Sequence, residues 1–141
     1  MSEKSREQRK IERLEQGAES FKKHIKDLGG ALSVADAAKL LSLTEDRVLE
    51  MAAYSELLLI SIDGKKGLPV FQFDGAKLVS GLDRVLSQIG FLSPVTRVSF
   101  LTSMFFFEDE PELTAVEALR KYGPESEQAK VVYHQAALNF V

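Results

Sequence analysis

The stretch Leu32–Phe73, LSVADAAKLLSLTEDRVLEMAAYSELLLISIDGKKGLPVFQF, holds two periodicities. In its first half apolar residues recur at three- and four-residue steps, at Val34, Ala37, Ala38 and Leu41 and again at Val48, Met51 and Ala52, which predicts two helices. Between them Ser42-Leu43-Thr44 is a short break, and Thr44 is placed to cap the second helix. The second half changes to the strand-like runs LLLISI and LPVFQF around a turn over Asp63–Gly67, with Lys65 and Lys66 at its tip. Alternation about Gln72 predicts that Phe71 and Phe73 point to one face. Helix, turn, helix and hairpin make a helix-turn-helix with a β-hairpin wing, a shape that usually goes with DNA binding.

The charges pull the other way. The outward positions of the second helix are Glu45, Asp46, Arg47, Glu50 and Tyr54, several carboxylates and one arginine. A helix that reads DNA normally offers Arg, Lys, Asn or Gln to bases and phosphates. The whole chain of 141 residues has a formal net charge of −3, so non-specific affinity for nucleic acid has no electrostatic basis. If the motif binds DNA, its candidates are Thr44, Arg47, Tyr54, Lys65 and Lys66. The absence of cysteine excludes disulfides, thiol catalysis and Cys-based metal sites. No nucleophile-elbow serine, phosphate-binding glycine loop or paired metal ligands occur, so no enzyme, cofactor or metal is expected. The apolar runs are too short for a membrane span and the charged N-terminus lacks a signal-peptide core. A cytoplasmic protein with no membrane partner is the expectation.

Upstream, residues 1–30 predict a charged amphipathic helix with apolar positions at Ile11, Leu14, Ala18, Phe21, Ile25 and Leu28. Steps of three and four are those of a heptad seam. The helix either lies on its own domain or pairs two chains into a homodimer; fewer than three full heptads favours the first reading. Downstream, residues 76–141 read as a helical bundle. A stripe from Leu78 to Ile89 predicts one helix, and Ser93-Pro94 starts another that carries Val95, Val98 and Leu101 into Met104-Phe105-Phe106-Phe107. Three phenylalanines in a row on a helix cannot face one core. The acidic run Glu108–Glu112 lacks calcium-loop spacing and reads as solvated. Thr114 and Glu117 form a capping box for a helix from Ala115 to Tyr122, and a last helix runs from about Glu125 to Leu138. The fold expected is mainly α: an N-terminal helix over 1–30, a winged helix-turn-helix over 31–75 and a helical bundle over 76–141.

Several of these residues resemble the Xre/MbcA/ParS group of bacterial antitoxins. The similarity runs from SVADAAKLLSLTEDRVLEMAAYSELLLI through Leu68-Pro69-Val70-Phe71-Gln72-Phe73-Asp74 and Gly81-Leu82 to Phe100-Leu101, Leu113–Arg120 and Gly123. Ala115 stands where the group commonly has proline, and an acidic loop at Pro111 replaces a double glycine. The resemblance implies a non-enzymatic regulator that binds and occludes a cognate toxin protein through its C-terminal helices and acts on operator DNA to control its own operon. The positions that location assigns to the toxin are Arg120, Lys121, Tyr122, Gln128, Lys130, Tyr133 and His134. The alternative is a winged-helix transcriptional regulator without a toxin.

Overall fold

Short polar side chains set where the helices begin. The structure, a computed structural model, describes residues 5–107 and 112–138. Helix α1 (Arg6–Asp27) starts at a capping box, Ser5 Oγ accepting from the Gln8 amide and Gln8 Oε1 from the Ser5 amide. Strand β1 (Ala31–Ser33), which the sequence pattern does not announce, leads into α2 (Val34–Leu41), capped by Ser33. Thr44 caps α3 (Glu45–Ala53). Strands β2 (Ile60–Ile62) and β3 (Lys65–Pro69) form a hairpin, and β1 pairs with the other edge of β3, so the antiparallel sheet runs β1-β3-β2. A 3-10 turn at Val70–Gln72 precedes the two-residue strands β4 (Phe73–Asp74) and β5 (Lys77–Leu78). Then come α4 (Leu82–Ile89), α5 (Pro94–Leu101), the strands β6 (Met104–Phe105) and β7 (Leu113–Thr114), α6 (Ala115–Tyr122) and α7 (Glu127–Leu138). The chain is mostly helical with small antiparallel sheets. Among the described residues no helix is long and apolar enough to cross a membrane.

The turn between α2 and α3 depends on Ser42, which sits in the left-handed region at φ 58°. An L side chain there costs roughly 1 kcal/mol. Ser42→Gly is expected to raise stability by about 0.5 kcal/mol, the strain relieved less the extra freedom glycine has when unfolded. A urea titration checks it; a loss of stability would show that the serine contributes contacts that outweigh the strain.

Two apolar clusters result. Ala37, Ala38, Val48, Leu57, Leu68 and Phe73 fill the smaller one, around α2, α3 and the sheet. The larger joins Ile25 of α1 and Leu58 and Ile60 of the sheet region to α4–α7. Adjacent Leu57 and Leu58 thus enter different clusters.

Three local expectations are corrected. The helix at Pro94 ends at Leu101, where Thr102 Oγ1 donates to Val98 O and Ser103 Oγ to Phe100 O, and the phenylalanine run is extended. Extension alternates the rings: Phe105 and Phe107 turn inward and stack at 6.3 Å between centroids, and Phe106 is 73% exposed. The helix predicted from Leu78 begins only at Leu82, because Leu78 pairs with Phe73 across β4 and β5. Phe71 and Phe73 do not share a face: Phe73 fills the smaller cluster, Phe71 packs on the larger, and Gln72 between them is fully buried. Of the acidic run, residues 108–111 lie outside the described residues.

Candidate functional site

The α2–α3 unit and its hairpin present the first candidate surface. Thr44 is a cap, its Oγ1 accepting from the Arg47 amide at 3.1 Å. Arg47 is enclosed by acids: Nη1 donates to Glu50 Oε1 at 2.6 Å and Nη2 lies 3.7 Å from Glu56 Oε2. The one guanidinium of α3 is therefore already neutralised, while Glu45 and Asp46 stand exposed in its first turn. There they favour the helix dipole and repel phosphate. Tyr54, 72% exposed, closes the helix.

The hairpin turn is shorter than the sequence suggests. Ile62 pairs directly with Lys65, leaving only Asp63 and Gly64 in the turn, at φ 53° and φ 77°. Two consecutive positive φ values define the type I′ connection that matches strand twist, and Asp-Gly suits it. Lys65 and Lys66 are consequently strand residues on opposite faces rather than a pair at a loop tip. The tip itself is held by α1, since Lys22 Nζ donates to Asp63 Oδ2 at 2.7 Å. That bond, with the Asp63 charge, pushes the Lys22 ammonium pKa up.

The C-terminal candidates divide into structural and presented residues. Arg120 Nη2 donates to Phe71 O at 2.8 Å and Phe73 O at 3.1 Å, so this side chain ties α6 to the backbone on either side of Gln72. Tyr122 meets the edge of Phe107 at 6.2 Å, and Lys121 Nζ lies 5.6 Å from the Tyr122 ring. Tyr133 donates its hydroxyl to Pro124 O at 2.7 Å, beneath Arg84 at 4.2 Å from the ring centre. Burial pushes the Tyr133 phenol pKa up, against the opposing pull of Arg84. Lys130 pairs with Glu127 one turn away, Gln128 is half-buried and His134 is exposed. Arg120 and Tyr133 thus have structural partners of their own, whereas Lys130 and His134 are presented outward.

Along α1 the apolar seam is divided in the same way. Ile25 is buried in the chain's own core, with Phe21 and Leu28 packed against it. Ala18 is exposed, as are Ile11 at 53% and Leu14 at 64%.

Sequence reasoning missed Gln72, Phe106 and Arg97. Phe106 was hidden by a helix prediction over a segment that is extended. Arg97 lies on α5, far in sequence from the hairpin, yet it lines a groove of about 340 Å3 with Lys66 of β3, Leu59, and Leu49, Ala52 and Ala53 of α3. Its Nε is buried and makes no hydrogen bond, and desolvation lowers its pKa from the usual guanidinium value. Glu56 Oε2 is likewise buried without a hydrogen bond, beyond bonding distance from Arg47. Among the described residues no cluster of three or more His, Asp or Glu side chains could hold a metal ion.

The fold has a solved counterpart. An NMR structure of Rv2175c superposes with a TM-score of 0.63 over 79% of this chain and 81% of that one, at 17% sequence identity. At that identity the likeness is one of fold alone. No family model matches the sequence, and no curated protein matches it.

Proposed function

We propose that this protein is a non-enzymatic regulator of bacterial antitoxin type, in which a winged helix-turn-helix serves as a scaffold and the C-terminal half binds and occludes a protein partner. The observation that carries this reading is Arg47 held between Glu50 and Glu56 on a helix face that also exposes Glu45 and Asp46. Such a face repels a phosphate backbone, and affinity for DNA depends on neutralising phosphates. The C-terminal half, in contrast, leaves large apolar side chains exposed, Met104 and Phe106 on one strand segment and Val131 and Leu138 one heptad apart on α7. Apolar and aromatic side chains in solvent suit a protein partner. Lys130 and His134 on α7 supply polar contacts at its margin. The resemblance to the antitoxin group supports a toxin as that partner, and its mechanism is steric occlusion by α6, α7 and the Phe106 segment. Co-purification with the polypeptide encoded beside this gene tests it: a stoichiometric complex is expected, weakened at least tenfold by Phe106→Asp, and no complex would remove the proposal.

The second reading, a DNA-binding transcriptional regulator, is favoured by the layout β1–α2–α3–β2–β3, a helix pair followed by a hairpin whose sheet includes the strand before it. It requires Lys65 and Lys66, on opposite faces of β3, to carry salt-dependent affinity.

Self-association belongs to the same proposal. The first turns of α1 expose Ile11, Leu14 and Ala18, apolar positions that the chain's own core does not cover. Pairing two α1 helices through these three residues covers both. Light scattering of the wild type is expected to give twice the chain mass of 15.7 kDa, and Ile11→Glu with Leu14→Glu to halve it without unfolding the core. A wild type that is already monomeric contradicts the pairing. Phe21 is unsuitable for this test because it packs on the chain's own core.

A further inference from the structure

We infer that the groove between α3, the hairpin and α5 is a receptor for an acidic side chain of a protein partner, with Arg97 as its anchor and Lys66 as its second charge. The site shares no residue with the C-terminal surface proposed above and does not depend on it.

Three observations lead there. First, among the described residues Arg97 has a buried Nε with no acceptor and no ion-pair partner, an uncommon state for a guanidinium carrying five donors. The carboxylate of a ligand would approach end-on and accept from the two terminal nitrogens together, a bidentate pairing that arginine's fork matches, and its charge would offset the desolvation of the buried Nε. Second, the lining of the groove contains no acid. Lys66 and Arg97 are its only charged members, and neither is paired within the described structure, so both remain available to a ligand. Third, the other lining residues, Leu49, Ala52, Ala53 and Leu59, are apolar. The occupant is therefore an Asp or Glu with an apolar neighbour, the carboxylate reaching Arg97 and the neighbour lying on the α3 wall.

The same chemistry argues for a peptide over nucleic acid. A duplex would bring a row of phosphates across α3, where Glu45, Asp46 and Glu50 are exposed. A peptide brings one carboxylate to two cations and an apolar contact besides. Of the two lining cations, only Lys66 was legible in the sequence as a candidate contact; Arg97 joins it through the packing of α5 beside α3.

The test is selection from a random peptide library displayed on phage, using the full chain as bait. Enriched sequences are expected to share Asp or Glu beside Leu, Ile or Phe. A synthetic peptide of that consensus should lose about tenfold in affinity against Arg97→Gln, the scale of one charge-assisted hydrogen-bonded pair, and less against Lys66→Gln. Thermal melts of both variants establish that they are folded, and Arg97→Lys should recover only part of the affinity because it lacks the fork. Phe106→Asp should leave peptide binding unchanged, which separates this site from the C-terminal surface. Absence of an acidic consensus, or equal affinity for wild type and Arg97→Gln, overturns the inference. So does Arg97-dependent binding of a random-sequence DNA duplex that displaces the peptide, since the groove would then be a phosphate contact.

Discussion

Gln72→Leu is expected to lower the unfolding free energy by about 3 kcal/mol or more, one of the two largest effects of a single change outside the apolar core. Gln72 is fully buried, and its amide works as a missing strand. Oε1 accepts from the Leu58 amide at 2.8 Å, while Nε2 donates to Leu58 O at 2.8 Å and to Pro69 O at 3.2 Å. Leu58 precedes β2 and is itself fully buried, so its backbone groups have no water to turn to. Leucine matches the volume of glutamine closely but leaves the Leu58 N–H and C=O unsatisfied, each costing roughly 1–3 kcal/mol. The position also joins the two halves. Leu57 and Leu58 enter different clusters, and Arg120 holds the carbonyls of Phe71 and Phe73 on either side of Gln72. Urea unfolding followed by circular dichroism measures the loss; a change below about 1 kcal/mol would mean that the bonds to Leu58 are replaced by other partners.

Gly81→Ala is the second, with an expected loss of about 3 kcal/mol. Gly81 precedes α4 at φ 91°, a conformation that costs an L residue roughly 1 kcal/mol or more. A Cβ there would lie 2.5 Å from Tyr133 Oη, 3.0 Å from Pro124 Cβ and 3.3 Å from Leu119 Cδ2. The Tyr133 hydroxyl cannot retreat without stretching its 2.7 Å bond to Pro124 O, and Arg84 covers the ring from above. The close approach of α4 to the segment between α6 and α7 therefore depends on this glycine. Tyr133→Phe in the Gly81→Ala background separates strain from steric clash: removing the hydroxyl should restore part of the loss. If Gly81→Ala melts like the wild type, α4 has room that the packing denies.

What could be read from the sequence was local. Thr44 and the Thr114–Glu117 box marked helix starts that the structure places at those residues, because a cap is a contact between neighbours in the chain. The Phe105–Phe107 run was read as helix because apolar residues without charges between them fit either period; pairing of β6 with β7, a partner eight residues away, decides it. Gln72 carries no sequence signal of burial, since a lone glutamine in a strand-like run reads as the solvent side of an alternation. Of the seven C-terminal positions assigned from location, Arg120 bonds to backbone 47 and 49 residues distant, which no periodicity could announce. The Arg97 groove is non-local for the same reason, and the acidity of α3 was visible at once because it needs only composition.

The α2–α3 unit and its hairpin are proposed to be a scaffold for protein binding, not a reader of DNA. The direct measurement is capture of the full-length protein from its native cell lysate, divided into nuclease-treated and untreated halves and washed through a salt gradient. A near-stoichiometric polypeptide is expected in both halves, retained at high salt and lost with Phe106→Asp. DNA in the untreated half alone, released steeply with salt and lost with Lys66→Glu, would contradict it and give the second reading its place.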